Sequence, residues 1–388
     1  MFIKSFRPFA QSLRAPAAII LVATLAGCST FSGFFGGSAK KPQPAELQPV
    51  VALVPARQVW SARIGEVTFP LQGNISGETL VVASNDGTVA ALDTRTGRDR
   101  WRTSIGAPIA AGVGSDGKVA AVVTRANEVV ALDNGREIWR QKLAAQAFTS
   151  PFVAGGRVFV LAADRSVNAF DGQTGKKLWA QQRPSEPLVL RQGGVMLAVG
   201  DTLVVGLAGR LTGLNPLNGS IRWEAPIASP RGVNDVERLV DLVGHVGRNG
   251  NTVCARAFQA NIGCVDAQRG ALLWTKPANA AQGVDSDERY VFGAEADGRV
   301  LALRRADGEP VWSTDLLRYR SLTSPLVVGR SIAIGDSAGL IHLLSREDGS
   351  PLNRLTTDGT SIAASPLLAG STLIAVTRAG GVYGFAPE

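Results

Sequence analysis

The sequence predicts an all-β fold, an eight-bladed β-propeller of four-stranded antiparallel blades. The first observation is a motif, an apolar run, an Asp or Gly turn and a tryptophan, that recurs along the chain. It reads ALDTRTGRDRW ending at Trp101, ALDNGREIW at Trp139, AFDGQTGKKLW at Trp179, GLNPLNGSIRW at Trp223, CVDAQRGALLW at Trp274 and ALRRADGEPVW at Trp312, then LLSREDGSPLN, where Asn353 takes the aromatic place. The second is the spacing: successive steps are 38, 40, 44, 51, 38 and 41 residues. A period near 40 built of short strands is that of a propeller blade. The third is an unfinished unit at the C-terminus matched by a spare strand at the N-terminus.

Each unit reads alike. In LVVASNDGTVAALDTRTGRDRW, two strands of period 2 are joined by Asn85-Asp86-Gly87, and a second turn at Thr96-Gly97 leads to a strand ended by Trp101. Gly tolerates positive φ in such turns, and Asp or Asn bonds its own backbone. The tryptophan at that spacing is expected to wedge between neighbouring blades, where it buries a large area and needs one partner for its N–H. After Asn353, SIAASPLLAGSTLIAVTRAGGVYGF supplies strands around Arg378-Ala379-Gly380, and the last residue is Glu388. Gln58-Val59-Trp60 lies 41 residues before Trp101, outside any complete unit. The N-terminal strand is therefore expected to complete the last blade, giving eight blades and a closed ring with only short edges.

The elements before the ring follow in order. Met1 to Arg14 carries Lys4, Arg7 and Arg14 and no acid, and Ala15 to Leu25 is an apolar run of 11 residues. That is too short to span a bilayer, which needs about 20. It reads as a cleavable signal over residues 1–27. Leu25-Ala26-Gly27-Cys28 looks like a bacterial lipobox, in which Cys28 is acylated and becomes the mature N-terminus; an ordinary secretory signal with a chance cysteine is the alternative. Acyl chains on Cys28 would hold the protein on a membrane without a spanning segment, each buried CH₂ contributing about 0.8 kcal/mol. Ser29 is not Asp, and lipoproteins of this type resemble those sorted to the outer membrane. Residues 28–50, rich in Ser, Gly, Pro and Ala, read as a flexible tether, and 51–388 as the propeller.

Composition narrows the function classes. The chain carries a net charge of +8, and removing the signal takes away three positive charges and no acid, leaving +5. No Lys/Arg block with interleaved aromatics is present, so a nucleic-acid footprint is not expected. Cys254 and Cys264 sit in NTVCARAFQANIGCVD, opposed across an expected hairpin. In an oxidising compartment they suit a disulfide, with two buried thiols as the other reading, and no Cys-x-x-Cys spacing supports a redox role. The two histidines, His245 and His342, belong to no cluster of metal-ligand or triad spacing. His342, between Ile341 and Leu343, reads as structural, and Asp285, Asp287 and Glu288 read as a solvated turn. The glycines fall at turns rather than in a phosphate loop. No catalytic constellation, metal site or cofactor site is expected.

The GxVxALDxxTGxxxW units resemble the tryptophan-docking repeats of the pyrroloquinoline-quinone (PQQ) propeller superfamily. With the lipobox, the length of 388 residues and the Ser-Pro pairs at Ser150-Pro151, Ser324-Pro325 and Ser365-Pro366, residues 21–388 resemble the BamB family, lipoprotein propellers of the outer-membrane β-barrel assembly (BAM) machinery. The resemblance implies a scaffold, not an enzyme, held by lipid on the periplasmic face of the outer membrane. Its implied partner is the periplasmic POTRA region of the barrel-forming subunit BamA, and through it the other BAM subunits and nascent outer-membrane proteins. In Pro187-Leu188-Val189-Leu190-Arg191 the family's Leu-x-Leu-Arg pattern is kept, which implies Leu188 and Leu190 as apolar anchors and Arg191 as a bonding group. In Arg238-Leu239-Val240-Asp241 the first acidic position is kept at Asp241, while the second falls at Val243. Independently of the family, both segments lie where the repeat swells to 44 and 51 residues. Insertions in a repeat array map to loops and often to the binding face. The competing readings are a buried strand edge for Leu188 and Leu190, and a local strut from Asp241 to Arg238 or Arg191. Two other function classes remain: a PQQ-dependent dehydrogenase-like propeller, and a periplasmic glycan-binding module.

Overall fold

The structure, a computed structural model, describes residues 42–68, 72–182 and 188–388. The signal, Cys28 and the first part of the expected tether lie outside them. The described strands form eight four-stranded antiparallel sheets. Seven blades are consecutive in sequence, at 74–104, 109–142, 152–181, 196–226, 242–277, 284–314 and 326–356. The eighth takes three strands from 367–387 and its outermost strand from Ala56–Arg63, in the order expected for closure by the N-terminus. That strand pairs from Ala56 opposite Pro387 to Arg63 opposite Gly381.

In each blade the two middle strands are apolar on both faces, because both faces meet a neighbouring blade. Leu80 to Ala83 and Val89 to Leu92 are fully buried and pack with Val122, Val130 and Leu132 of the next sheet. The outermost strands alternate, as Asp99–Ser104 does with Trp101 turned inward. The turn between third and fourth strands is held by the aspartate of the repeat. Asp93 Oδ1 accepts the N–H groups of Arg95 and Thr96 at 3.1 and 3.0 Å, and Asp171 does the same for Gln173 and Thr174 at 3.1 and 2.9 Å. The Arg100 guanidinium beside Asp93, with these donors, holds its carboxyl at about 2.

Every tryptophan docks on the next blade. The rings lie over the glycine of the neighbour's turn, from Trp60 over Gly97 around to Trp312 over Gly349. Five of the seven indole N–H groups then donate to a carbonyl of the same turn: Trp60 to Thr94 at 2.9 Å, Trp139 to Gly172 at 2.9 Å, Trp179 to Pro216 at 3.0 Å, Trp274 to Arg305 at 2.8 Å and Trp312 to Arg346 at 2.8 Å, whereas the buried Trp223 N–H has no acceptor among the described residues. Burying such a ring contributes up to about 4 kcal/mol. Seven tryptophans make seven of the eight junctions. The eighth, from blade seven to blade eight, has no such turn, because the outer strand of blade eight comes from the other end of the chain. Asn353 stands there, and its Nδ2 donates to Val54 O at 2.9 Å on the segment leading into Ala56–Arg63. The one departure from the tryptophan motif thus marks the place where the ring is closed.

The reading of residues 28–50 as a free tether is shortened by the structure. From Gln43 onward the chain runs along the rim: Ala45 N–H donates to Arg318 O at 2.9 Å and Leu47 packs against the core of blade six. Cys254 and Cys264 face each other on the two middle strands of blade five and are joined as a disulfide.

His342 is buried in a middle strand of blade seven, its Nε2 at 3.0 Å from Asp336, which also accepts Arg320 Nε at 2.7 Å. Burial pushes the imidazole below its usual range, against the attraction of Asp336 and with the help of Arg354 and Arg320. The ring is therefore neutral when folded and charges more readily when unfolded. Its contribution to stability is complete above about pH 6.5 and is lost as pH falls below that. Urea titrations at a series of pH values should show unfolding free energy declining in this window, and His342→Gln should flatten that decline. For the docking turns, Gly308→Ala forces a side chain at φ 74° and a Cβ 2.5 Å from Trp274 Cε3. Chemical denaturation should register a loss of roughly 2–4 kcal/mol. Gly329→Ala, at φ 55° with open space around it, should lose about 1 kcal/mol.

Candidate partner-binding site

The two insertions form long connections between blades. One joins strand Lys177–Gln181 to Met196–Val199, and the other joins Ile221–Pro226 to Leu242–Asn249. A connection from an outermost strand to the next innermost strand lies on one face of the ring, together with the turns between second and third strands. Both insertions reach that loop face. Leu188, Leu190 and Arg191 lie in the first, outside any strand, so the strand-edge reading does not hold.

What fixes this loop is a residue the sequence reading did not single out. Arg165 occupies the turn between the second and third strands of blade three and is only 7% exposed. Its guanidinium donates to Leu188 O at 3.0 Å and pairs with Asp241 Oδ1 at 3.1 Å. Asp241 Oδ2 in turn accepts the Leu190 N–H at 2.9 Å. Two neighbouring connections and one turn are thereby stapled, and Leu188 is held outward at 37% exposure. Asp241 does form a local strut, but its ion-pair partner is Arg165. Arg165 also has φ 60°, where the corresponding turns of blades one, six and seven carry Gly87, Gly298 and Gly339. Asn127, Ala208 and Gln259 take the same left-handed conformation in the turns of blades two, four and five, at a cost of about 1 kcal/mol for a non-glycine residue, so the position becomes distinctive only through the partners that the Arg165 side chain reaches.

Arg191 is exposed, its guanidinium 5.8 Å from the centre of the Phe148 ring. The two residues line an open cavity of about 340 Å³ with Thr68, Arg125 and Gln192. Leu190 is half-buried and belongs to the wall of a smaller cavity with Phe148, Leu161 and Leu242. Val243, where the family pattern has a second acid, is a buried strand residue at 1% exposure. The second insertion adds two exposed apolar residues that the sequence reading missed, Val233 at 95% and Val236 at 72%. They flank a turn in which Asn234 Oδ1 accepts Glu237 N–H at 2.9 Å and Glu237 Oε2 accepts Val233 N–H at 2.9 Å. This reciprocal bonding orders the turn before any partner arrives. The face thus offers Leu188, Val233 and Val236 for burial and Arg191 for a carboxylate or carbonyl.

Asp285 and Asp287 are not a solvated turn. Asp285 accepts Val327 N–H at 2.7 Å from blade seven, and Asp287 pairs with Arg346 at 2.9 Å, so both are buried cross-links between blades six and seven. Glu288 alone of the three is exposed. The mouth of the central channel, on the loop face, holds about 350 Å³ lined mainly by neutral groups such as Gln72, Gln282, Ser324 and Ser365, with His245, Glu295 and Arg378. His245 Nε2 lies 3.7 Å from Asp285. Among the described residues no three His, Cys, Asp or Glu side chains converge as a metal site.

Arg165→Ala should free the first insertion without opening the ring. Hydrogen exchange of the Leu188–Arg191 amides should accelerate at least about tenfold, with a loss of about 2 kcal/mol in unfolding free energy. Asp241→Asn, which keeps an acceptor for Leu190, should accelerate it less. Unchanged protection in both would mean that the staple does not hold the loop.

Comparison with known proteins agrees with this architecture. The family model described as outer membrane protein assembly factor BamB matches residues 85–314. A protein of that name from Burkholderia pseudomallei is 37% identical over 379 residues, covering 96% of this chain and 97% of its own length. One from Bordetella pertussis is 35% identical, covering 90% and 91%. Among solved structures, that of BamB from Moraxella catarrhalis superposes with a TM-score of 0.78 at 24% identity, over 86% of this chain and all of that one. The quinohemoprotein alcohol dehydrogenase of Comamonas testosteroni shares the fold at a TM-score of 0.67 and 14% identity, over 86% of this chain and 77% of its own. With the family model spanning more than half of the sequence and relatives above 30% identity spanning nearly all of it, this chain belongs to the BamB family of outer membrane protein assembly factors.

Proposed function

We propose that this protein is a non-enzymatic scaffold that binds the periplasmic POTRA region of BamA through the loop face built by its two insertions. Family membership makes it an outer membrane protein assembly factor of the BAM complex. The observation that carries the finer reading is the stapled loop. A buried ion pair, Arg165–Asp241, orders a connection whose own side chains, Leu188 and Arg191, point to solvent. A structure that spends a strained turn and a buried charge pair on an exposed loop is organised for recognition. Leu188 would enter an apolar groove of the partner, Arg191 would bond a carboxylate or carbonyl there, and Asp241 acts by position rather than by contact. Leu190 supports Leu188 from the cavity wall.

The remainder of the reading follows from the N-terminal sequence. Residues 1–27 are the signal, Cys28 carries the lipid, and the ring stands on the periplasmic face of the outer membrane. Cys254–Cys264 suits that compartment. A scaffold role is supported by the use made of the candidate chemical groups: His342 is committed to Asp336, and Asp285 and Asp287 bind blades together. The glycan-binding alternative loses its aromatic platform, because all seven tryptophans lie over turn glycines between blades.

Leu188→Ala and Arg191→Ala should each weaken binding to the purified periplasmic domains of the barrel subunit by about 10–30-fold, or 1.4–2 kcal/mol, as measured by calorimetry. The melting temperature should stay unchanged. A parallel fall in melting temperature and affinity would assign these residues to the fold instead.

A further inference from the structure

The chain enters the ring through a segment that reverses the face from which it departs. The closing strand Ala56–Arg63 begins at Ala56, opposite Pro387, on the face of the turns between third and fourth strands. A chain leaving directly from Ala56 would depart from that hairpin face, away from Leu188 and Arg191. It does not do so. Residues 43–55 run back along the outer edge of blade seven. Leu53 N–H donates to Leu352 O at 2.8 Å and Asn353 Nδ2 donates to Val54 O at 2.9 Å. Further along, Arg354 donates to Gln48 O at 3.0 Å. The segment ends at Ala45, whose N–H and C=O bond Arg318 O and Arg320 Nη1 at 2.9 and 3.0 Å. Arg318 and Arg320 belong to the connection between blades six and seven, bonded to the turns at Asp297 and Ser337. Ala45 is therefore on the loop face.

The attachment is specific in its physics. Arg320, Arg354 and Arg330 each donate to a backbone carbonyl of the segment, at Ala45, Gln48 and Leu53. Arg320 is itself fixed by its 2.7 Å bond to buried Asp336. Leu47 packs against the core of blade six and Val54 against that of blade seven. The segment also covers a sheet edge that would otherwise present unpaired backbone groups.

We propose that residues 43–55 are a strap that carries the membrane tether from the hairpin face to the loop face, so that the lipid and the partner-binding loops act on the same side of the ring. The inference rests on acylation of Cys28 as proposed above. The strap also shortens the leash. From Cys28 to Gln43 the chain reaches at most about 50 Å, against about 95 Å to Ala56. A blade is roughly 20 Å deep along its strands, so the shorter leash, attached at the near face, biases which face is presented to the membrane. A partner anchored in that membrane then meets Leu188 and Arg191 at a raised effective concentration.

The test uses the full lipid-bearing chain in vesicles of phosphatidylethanolamine and phosphatidylglycerol containing an acceptor-labelled lipid. A fluorescent non-natural residue replaces either Val236 on the loop face, 72% exposed, or Leu217 in a hairpin-face turn, 65% exposed. Energy transfer to the bilayer should be roughly twofold stronger from position 236. Combining Ala45→Pro with Leu47→Asp removes a strap donor and its apolar contact while leaving the blades intact. It should raise hydrogen exchange at the strap amides and abolish or reverse the difference in transfer. Equal transfer from both positions in the parent chain, or an unchanged difference once the strap is released, would overturn the inference. Failure of the parent chain to stay with the vesicles would overturn the anchor reading, and the inference with it.

Discussion

Everything in this molecule depends on ring closure, and closure is a problem of matching ends. A propeller of eight sheets has eight junctions, each of which must exclude water along the full depth of a blade. The chain solves seven with one device, an indole laid over a glycine of the next turn. At the eighth the device is impossible, since no hairpin connects the third and fourth strands of a blade assembled from both ends of the chain. Asn353 replaces the ring with a hydrogen bond to the entering segment, and the strap adds arginine–carbonyl bonds at Gln48 and Leu53 and the packing of Val54 against the core shared by blades seven and eight. The weakest junction by motif thus receives the most varied support.

Closure has a second consequence. Once the middle strands are buried on both faces, polar chemistry is confined to turns, connections and the channel mouth. Buried charges within the ring are used as cross-links: Asp336 with Arg320 and His342, Asp287 with Arg346, Arg256 with Glu295. Each must be paired, because an unpaired charge at such depth would be strongly destabilising. The Arg165–Asp241 pair belongs to this set, but it joins two loops rather than two blades. Ordering energy is thereby spent on a surface that the ring itself does not need.

Much of the fold was legible because each blade repeats local rules. Asp or Asn before glycine sets the turns, apolar runs set the middle strands, and the tryptophan closes each unit, so the count of eight and the role of Trp60 follow from spacing alone. The site was legible only in outline. Swollen repeat steps located the two insertions, and Leu188 and Arg191 do reach the surface. Arg165 was passed over because its significance comes from partners 23 and 76 residues away. Asp285 and Asp287 were misread as a solvated turn because acidic residues in sequence look the same whether water or a neighbouring backbone N–H satisfies them.

The sequence by itself determined the architecture: strand period, turn chemistry and a repeat near 40 residues are local properties, and burial between identical units leaves few other solutions. It also determined where the repeat breaks. The tertiary structure alone decided which side chains the breaks bring together. Arg165 meets Asp241 and Leu188 only when blades three, four and five are stacked, and Gln43–Pro55 finds its edge only when blades six and seven are in place. Such contacts depend on the geometry of a closed ring, which no local rule encodes.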